Sequence, residues 1–305
     1  MSASSKDIRR RIKSATNIQQ ITKAMETVAA TKMRRAQDKA VTGRVYAEKA
    51  FLLLQHLSPT LDPKLHSLLK KKNTGRQLVV LIMTDKGLVG GQNTNLVRKM
   101  QDFIKDQEAQ GRETDVIAIG KKAHDFAEKR DLKIIESYPF EDDINTAFVS
   151  PISSRAMKEY TDGPYDKIIM SYTNFISTLS QKPFIRGILP LTYEKIEDLG
   201  DLSDEEAKGL KIAREEETKE TIDYIFEPST QKVLNDLLPR FVETLVYHNL
   251  LEANASEHSA RMVAMKNASE NAGELIDDLT LTYNRLRQEG ITKELAEISA
   301  GTIQE

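Results

Sequence analysis

The segment closest to catalytic chemistry is Thr84-Asp85-Lys86-Gly87-Leu88-Val89-Gly90-Gly91-Gln92-Asn93, which lies between an apolar run and a helical pattern. Glycines in such a place let backbone N–H groups approach a phosphate. The dinucleotide fingerprint needs Gly-x-Gly-x-x-Gly and the Walker loop needs Gly-Lys-Ser/Thr; Gly87, Gly90 and Gly91 fit neither spacing. The preferred reading is a tight strand-to-helix turn that needs glycine, with nucleotide binding as the alternative. The five histidines, His56, His66, His124, His248 and His258, are scattered and form no metal-ligand spacing. Cysteine is absent, which removes thiolate metal sites, disulfides and thiol nucleophiles. Glu294 and Glu297 stand one helical turn apart, which suits a binding face as well as a solvated one. The cations Lys32, Arg34, Arg35 and Lys39 cluster without interleaved aromatics in a chain of net charge −2, so nucleic acid is a weak fit. The expectation is a chain with no catalytic residue, no cofactor and no metal.

The elements that would position these residues fall into three regions. From Ser4 to Thr42 there is neither Gly nor Pro, and Ser4 with Asp7 makes a modest capping start. Apolar or small residues recur at Ile8, Ile12, Ala15, Ile18, Ile21, Met25, Val28, Ala36 and Ala40, mostly three and four apart. One long helix is predicted, extending through Val45–Leu57 towards Pro59 and spanning about 75 Å at 1.5 Å per residue. The C-terminal region repeats the pattern at Ala255, His258, Met262, Met265, Ser269, Ala272, Ile276, Leu279, Tyr283 and Leu286. A 3.5-residue period predicts a left-handed coiled coil, and its small seam residues suit a particular partner helix better than a leucine-zipper dimer. Residues 1–49 carry 12 Lys/Arg against 4 Asp/Glu, a net +8, and residues 239–305 carry 6 against 11, a net −5. The two ends are electrostatic complements, so antiparallel pairing within the chain is preferred to a homodimer.

Between them strands and helices alternate: Gln77–Thr84, Asp115–Ile119, Leu132–Ser137 and Asp166–Tyr172 read as strands, Asn95–Glu108 and Lys121–Lys129 as helices. That order predicts a parallel, Rossmann-like sheet, with Phe184–Leu191 as an edge strand because of Pro183 and Pro190. The predicted fold is therefore α/β: a long antiparallel coiled coil of N- and C-terminal helices plus a central Rossmann-like domain. The expected divisions are 1–58, a long helix; 76–193, the α/β domain; 194–220, an acidic, partly helical connection; and 221–305, the second long helix. No apolar run approaches the roughly 18 residues that span a bilayer, and Met1–Arg11 lacks a secretory signal's apolar core. The expectation is a soluble chain without membrane insertion.

The run NIQQITKAMETVAATKMRR at Asn17–Arg35 resembles the N-terminal helix of F-type ATP synthase γ subunits. The glycine turn at Thr84–Asn95, SARMVAMK at Ser259–Lys266, YNRLRQ at Tyr283–Gln288 and ITKELAEISAG at Ile291–Gly301 are similar to that family in the same order. The sequence departs from the family at Thr302, where Ala is usual, at Val89, where Cys is frequent, in the length of Glu194–Glu220, and at Pro239, where a kink or break near Leu238 is expected. The resemblance implies a non-catalytic central-stalk rotor whose coiled coil lies inside alternating α and β subunits. Its α/β domain would sit with ε on the c-subunit ring of the membrane. It implies ion-driven rotation coupled to ATP synthesis or hydrolysis on β, at the cytoplasmic face of a bacterial plasma membrane, or less readily the matrix side of the mitochondrial inner membrane. Matching positions imply that Lys23, Met25, Arg34 and Arg35 meet β-subunit loops, that Arg261, Gln288, Thr292, Glu294 and Glu297 form the opposing face, and that Glu227 lies beside the ring. A freestanding coiled-coil adaptor and a nucleotide-binding α/β protein are the competing classes.

Overall fold

The computed structural model describes residues 5–57, 66–191, 227 and 229–301. They form α1 (Ser5–Leu57), a 3-10 turn (Ser67–Leu69), β1 (Arg76–Ile82), α2 (Gln92–Ala109), β2 (Glu113–Ile119), α3 (Lys121–Glu128), β3 (Ile134–Tyr138), α4 (Thr146–Asp162), β4 (Lys167–Ser177), β5 (Ser180–Leu189) and α5 (Thr230–Gly301). The expected N-cap Ser4 and the acidic stretch 194–220 lie outside the described residues. The chain divides into two compact units, one of Met1–Ala30 with Arg261–Glu305 and one of Thr31–Ala260.

In the second unit the sheet order is β3-β2-β1-β4-β5. β1 pairs in parallel with β2 and β4, β2 pairs in parallel with β3, and β5 returns antiparallel to β4 at the edge. Alternate residues of β1 serve opposite faces, as the pleat requires. Leu78, Val80 and Ile82 join Ile117, Met170 and Tyr172 under Ile152 and Tyr160 of α4 and Phe241 and Leu250 of α5. Val79, Leu81 and Met83 join Val116 and Ala118 under Met100 of α2 and Phe126 of α3. The result is the expected α/β layering. Pro183 is tolerated because β5 is an edge strand.

Helix α4 is an addition to the sequence reading. Asn145 caps it by accepting a hydrogen bond from Phe148 N at 3.0 Å, and Pro151 lies inside it. α5 also runs without interruption through Pro239, so the break expected near Leu238 does not occur. Leu238, Phe241 and Val242 are buried in the core there, and that packing outweighs the one backbone donor that proline lacks.

In the first unit α1 and α5 pair through small residues. Ile8, Ala15, Thr22 and Ala29 of α1 are buried, as are Met265, Ser269 and Ala272 of α5, with Ile276, Leu279, Tyr283 and Leu286 half-buried in register below them. Approach is close at Gly273, where a Cβ would stand 2.9 Å from Gln19 Nε2. Nearby, Lys23, Ala24 and Thr27 line a groove with Ser269 and Glu270, so the α1 numbers rise as the α5 numbers fall and the pairing is antiparallel.

Candidate functional site

The α5 seam follows the predicted positions, whereas the α1 stripe splits in two. Ile8, Ala15, Thr22 and Ala29 repeat every seven residues and face α5, with Ile12, Gln19 and Glu26 half-buried between them. Ile18, Ile21 and Val28 are 52 %, 59 % and 56 % exposed, with half-buried Met25 among them. At 100° per residue they form a second apolar stripe along the flank of the first. Periodicity alone merges the two, because it finds apolar positions without saying which of them the partner helix covers. Thr22 can lie in the seam because its hydroxyl donates to the Ile18 and Gln19 carbonyls at 2.9 and 3.0 Å, leaving no unpaired donor. On α5, Leu275, Leu281, Ile291 and Leu295 are also exposed.

Lys23 is exposed beside this stripe and holds both carboxylate oxygens of Glu26 at 3.2 and 3.0 Å. Arg261 is half-buried. Gln288 and Thr292 are exposed, and the Thr292 hydroxyl donates to the Gln288 carbonyl at 2.9 Å. Positions 294 and 297 fall in the last turns of α5, on the opposite side of the helix from 288 and 292 by the 100° step. Lys23, Met25, Arg261, Gln288, Thr292, Glu294 and Glu297 thus belong to one unit. Exposed Arg34, Arg35 and Glu227 belong to the other.

The glycine turn is held by its own groups. Thr84 Oγ1 donates to the Lys86 carbonyl at 2.7 Å and accepts from Asn93 Nδ2 at 2.7 Å, while Leu88 and Gly90 take φ of 64° and 57°. The Asp85 carboxylate accepts from the backbone N–H of Lys121, the first residue of α3, at 2.7 Å and from that of Phe140 at 3.3 Å. A helix N-terminus beyond a parallel strand is where a phosphate would bind, and here the chain's own carboxylate occupies it.

His66 caps the 3-10 turn, its Nδ1 accepting from Leu68 N at 3.1 Å, and burial pulls its pKa down. His258, 2 % exposed, points Nε2 at Asp142 Oδ1, 3.3 Å away. Among the described residues no three His, Asp or Glu side chains are grouped to hold a metal, and no helix is long and apolar enough to cross a membrane.

Comparison with known proteins agrees with this architecture. A family model described as ATP synthase matches residues 4–303. The ATP synthase gamma chain of Nitrosomonas eutropha is 40 % identical over 301 residues, and that of Herpetosiphon aurantiacus 42 % identical over 314, each alignment covering 98 % of both chains. Among solved structures, a chain of the Euglena gracilis mitochondrial ATP synthase, described as OSCP/F1/c-ring in rotational state 3, matches with a TM-score of 0.63 at 20 % identity, covering 98 % of this chain and 93 % of that one. A chain from the central stalk and c-ring of the Tetrahymena thermophila mitochondrial enzyme matches with a TM-score of 0.57 at 24 % identity, covering 82 % of this chain and 99 % of that one. The chain belongs to the ATP synthase γ-chain family.

Proposed function

We propose that the chain is the central-stalk rotor subunit of an F-type ATP synthase, coupling ion-driven rotation to ATP synthesis and hydrolysis on other subunits. The carrying observation is the second stripe on α1. Ile18, Ile21 and Val28 remain more than half exposed beside a seam already filled by Ala15, Thr22 and Ala29. A contiguous apolar strip left in water marks an interaction surface. Covering its remaining area would contribute on the order of 1 kcal/mol per side chain. The occupant fitting the family is the sleeve of alternating α and β subunits. Two helices have no threefold symmetry, so each β subunit meets a different face, and that difference in contact lets rotation move each site between affinities.

In this reading Lys23, Met25, Arg34 and Arg35 meet β, Arg261, Gln288, Thr292, Glu294 and Glu297 form the opposing face, and Glu227 stands beside the c-subunit ring. Lys23, itself exposed, would exchange half-buried Glu26 for a carboxylate on β. The chain carries no active site of its own and works at the cytoplasmic face of a bacterial membrane as a peripheral subunit. The test is reconstitution of the tagged chain with its α, β, ε and membrane-sector partners. Ile18→Glu combined with Ile21→Glu should leave the chain folded, since both are exposed, but reduce complex yield or the ions pumped per ATP hydrolysed. Wild-type yield and coupling in that variant would sink the proposal.

A further inference from the structure

One stretch of α5 has polar composition and core burial. Asn254, Ser256, Glu257, His258 and Ser259 are all buried, although consecutive residues face every direction around a helix. A helix buried on all sides is ordinarily apolar, and buried polar groups have to be matched by hydrogen bonds. The bonds come from two directions. Asn254 Nδ2 donates to the carbonyls of Asp142 and Glu141 at 2.9 and 3.4 Å, and His258 Nε2 faces Asp142 Oδ1 at 3.3 Å. Ser259 Oγ donates to the Thr178 carbonyl at 2.7 Å and accepts from Gln181 Nε2 at 3.2 Å, and Tyr172 donates to Glu252 Oε2 at 2.7 Å. At 100° per residue, Asn254 and His258 share one side of the helix, and Glu252 and Ser259 share a side roughly 130° away. The first jaw also holds α1: Lys32 Nζ lies 2.6 Å from Asp142 Oδ2, and Lys39 pairs with Asp143 and donates to the Ile144 carbonyl at 3.2 Å. All these residues lie within the Thr31–Ala260 unit.

We propose that the loop Glu141–Asp143 and the β4–β5 hairpin form a two-jawed clamp that fixes α5 against rolling about its own axis, with Asp142 the positioning residue that grips both long helices. The inference rests on the rotor reading. A rotor transmitting torque between a sheet domain and a pair of helices needs angular fixity, and apolar packing is non-directional whereas hydrogen bonds are directional. A helix seated only on Leu and Ile can roll within its groove. One held by Asn254 on one side and Ser259 on the other must break bonds to do so. The need for directional contact accounts for Asn254, His258 and Ser259 in a place where burial alone favours apolar residues.

The experiment uses the reconstituted complex, immobilised through α and β, with a bead on a single cysteine introduced at exposed Lys121. The chain has no cysteine of its own, so it takes the label at this one position when it is labelled before reconstitution. Angular variance of the stalled bead and ions pumped per ATP are read at equal complex content. Asn254→Ala with Ser259→Ala should raise the variance about two-fold or more and lower the pumping ratio, with hydrolysis retained. If that pair fails to assemble, Asp142→Asn decides by the same readouts, with Asp142→Glu expected to restore stiffness. Wild-type variance in whichever assembled variant decides would overturn the clamp. A wild-type complex that hydrolyses ATP without turning the bead would instead overturn the rotor reading itself.

Discussion

Gly120 joins β2 to α3 at φ +90°, and a Cβ built there would lie 1.9 Å from the Met83 carbonyl oxygen and 2.9 Å from its carbon. In Gly120→Ala the ends of β1 and β2 would have to separate by roughly 1–2 Å to reach ordinary contact. Bonds crossing that gap are Met83 N to Ile119 O at 2.9 Å and Lys121 N to Asp85 at 2.7 Å. Left-handed strain costs about 1–3 kcal/mol and each lost bond about 0.5–1.5 kcal/mol, giving on the order of 4 kcal/mol. That is a large part of the 5–15 kcal/mol typical of a domain. Amide hydrogen exchange on the purified chain reads it directly: β1 and β2 amides that exchange through global opening should lose about three decades of protection at 1.4 kcal/mol per decade. Gly273→Ala is the control. Its Cβ meets only Gln19 Nε2, the far end of a flexible side chain, and alanine in a helix gains about 0.5–1 kcal/mol over glycine. Its net change should stay within about 1 kcal/mol. Less than tenfold loss of protection in Gly120→Ala, or a greater loss in Gly273→Ala, would refute the reasoning.

Three further outcomes are expected. Asp85→Ala leaves the Lys121 and Phe140 N–H groups without their carboxylate and should destabilise the α/β unit by about 1–3 kcal/mol. Millimolar sulfate should raise the variant's melting temperature and not the wild type's; equal responses would disprove an anion socket. Burial, helped by Asp166, pushes the Tyr160 phenol up to about 12, so the fold favours the neutral form. That contribution, about 2–3 kcal/mol, is complete below pH 10 and lost between pH 10 and 12. Urea midpoints should therefore fall more steeply over that range in wild type than in Tyr160→Phe, and parallel curves would contradict it. Burial raises the Asp142 pKa, but Lys32, His258 and Lys86 outweigh it and hold the carboxyl below its usual value. The stabilisation is present above about pH 4 and disappears as pH falls through the lowered value, so the urea-midpoint gap between wild type and Asp142→Asn should close in acid. A gap that widens there would contradict the assignment.

The layered α/β fold was legible because β1, β2 and the first half of β4 contain short apolar runs that the sheet buries, while α2 and α3 carry a helical period. α4 was hidden because Ser150, Pro151, Ser153 and Ser154 imitate a loop; capping by Asn145 and the burial of Val149, Ile152, Ala156 and Tyr160 make it a helix. The α5 seam could be read directly, since there the positions spaced three and four apart are the covered ones, while Leu275 and Leu281, outside that spacing, stay exposed. On α1 the same rule selected Ile18, Ile21 and Val28, which are exposed, and passed over Thr22, which is buried. Periodicity carries no information about close approach, and it is close approach beside Ser269, Ala272 and Gly273 that favours small residues there. The clamp was beyond sequence reasoning for another reason: Asn254 and Asp142 are 112 positions apart, and neither stands in a motif.

Helix α1 inverts the arrangement expected of an isolated helix pair. A two-helix coiled coil built only for its own stability would turn Ile18, Ile21 and Val28 inward and leave Ala15, Thr22 and Ala29 in water. Here the larger side chains face outward, so the pair gives up burial that its composition could have supplied. Local rules broken in this way concentrate at functional surfaces. Small residues inside also keep the pair slender, which suits a shaft within the proposed sleeve, and the large residues outside are left as the surface that such a sleeve would cover. Enlarging the seam should therefore separate the two demands. Ala15→Leu with Ala29→Leu would force the helices apart and displace the Ile18–Val28 strip, impairing coupling even though every residue of the strip is unchanged.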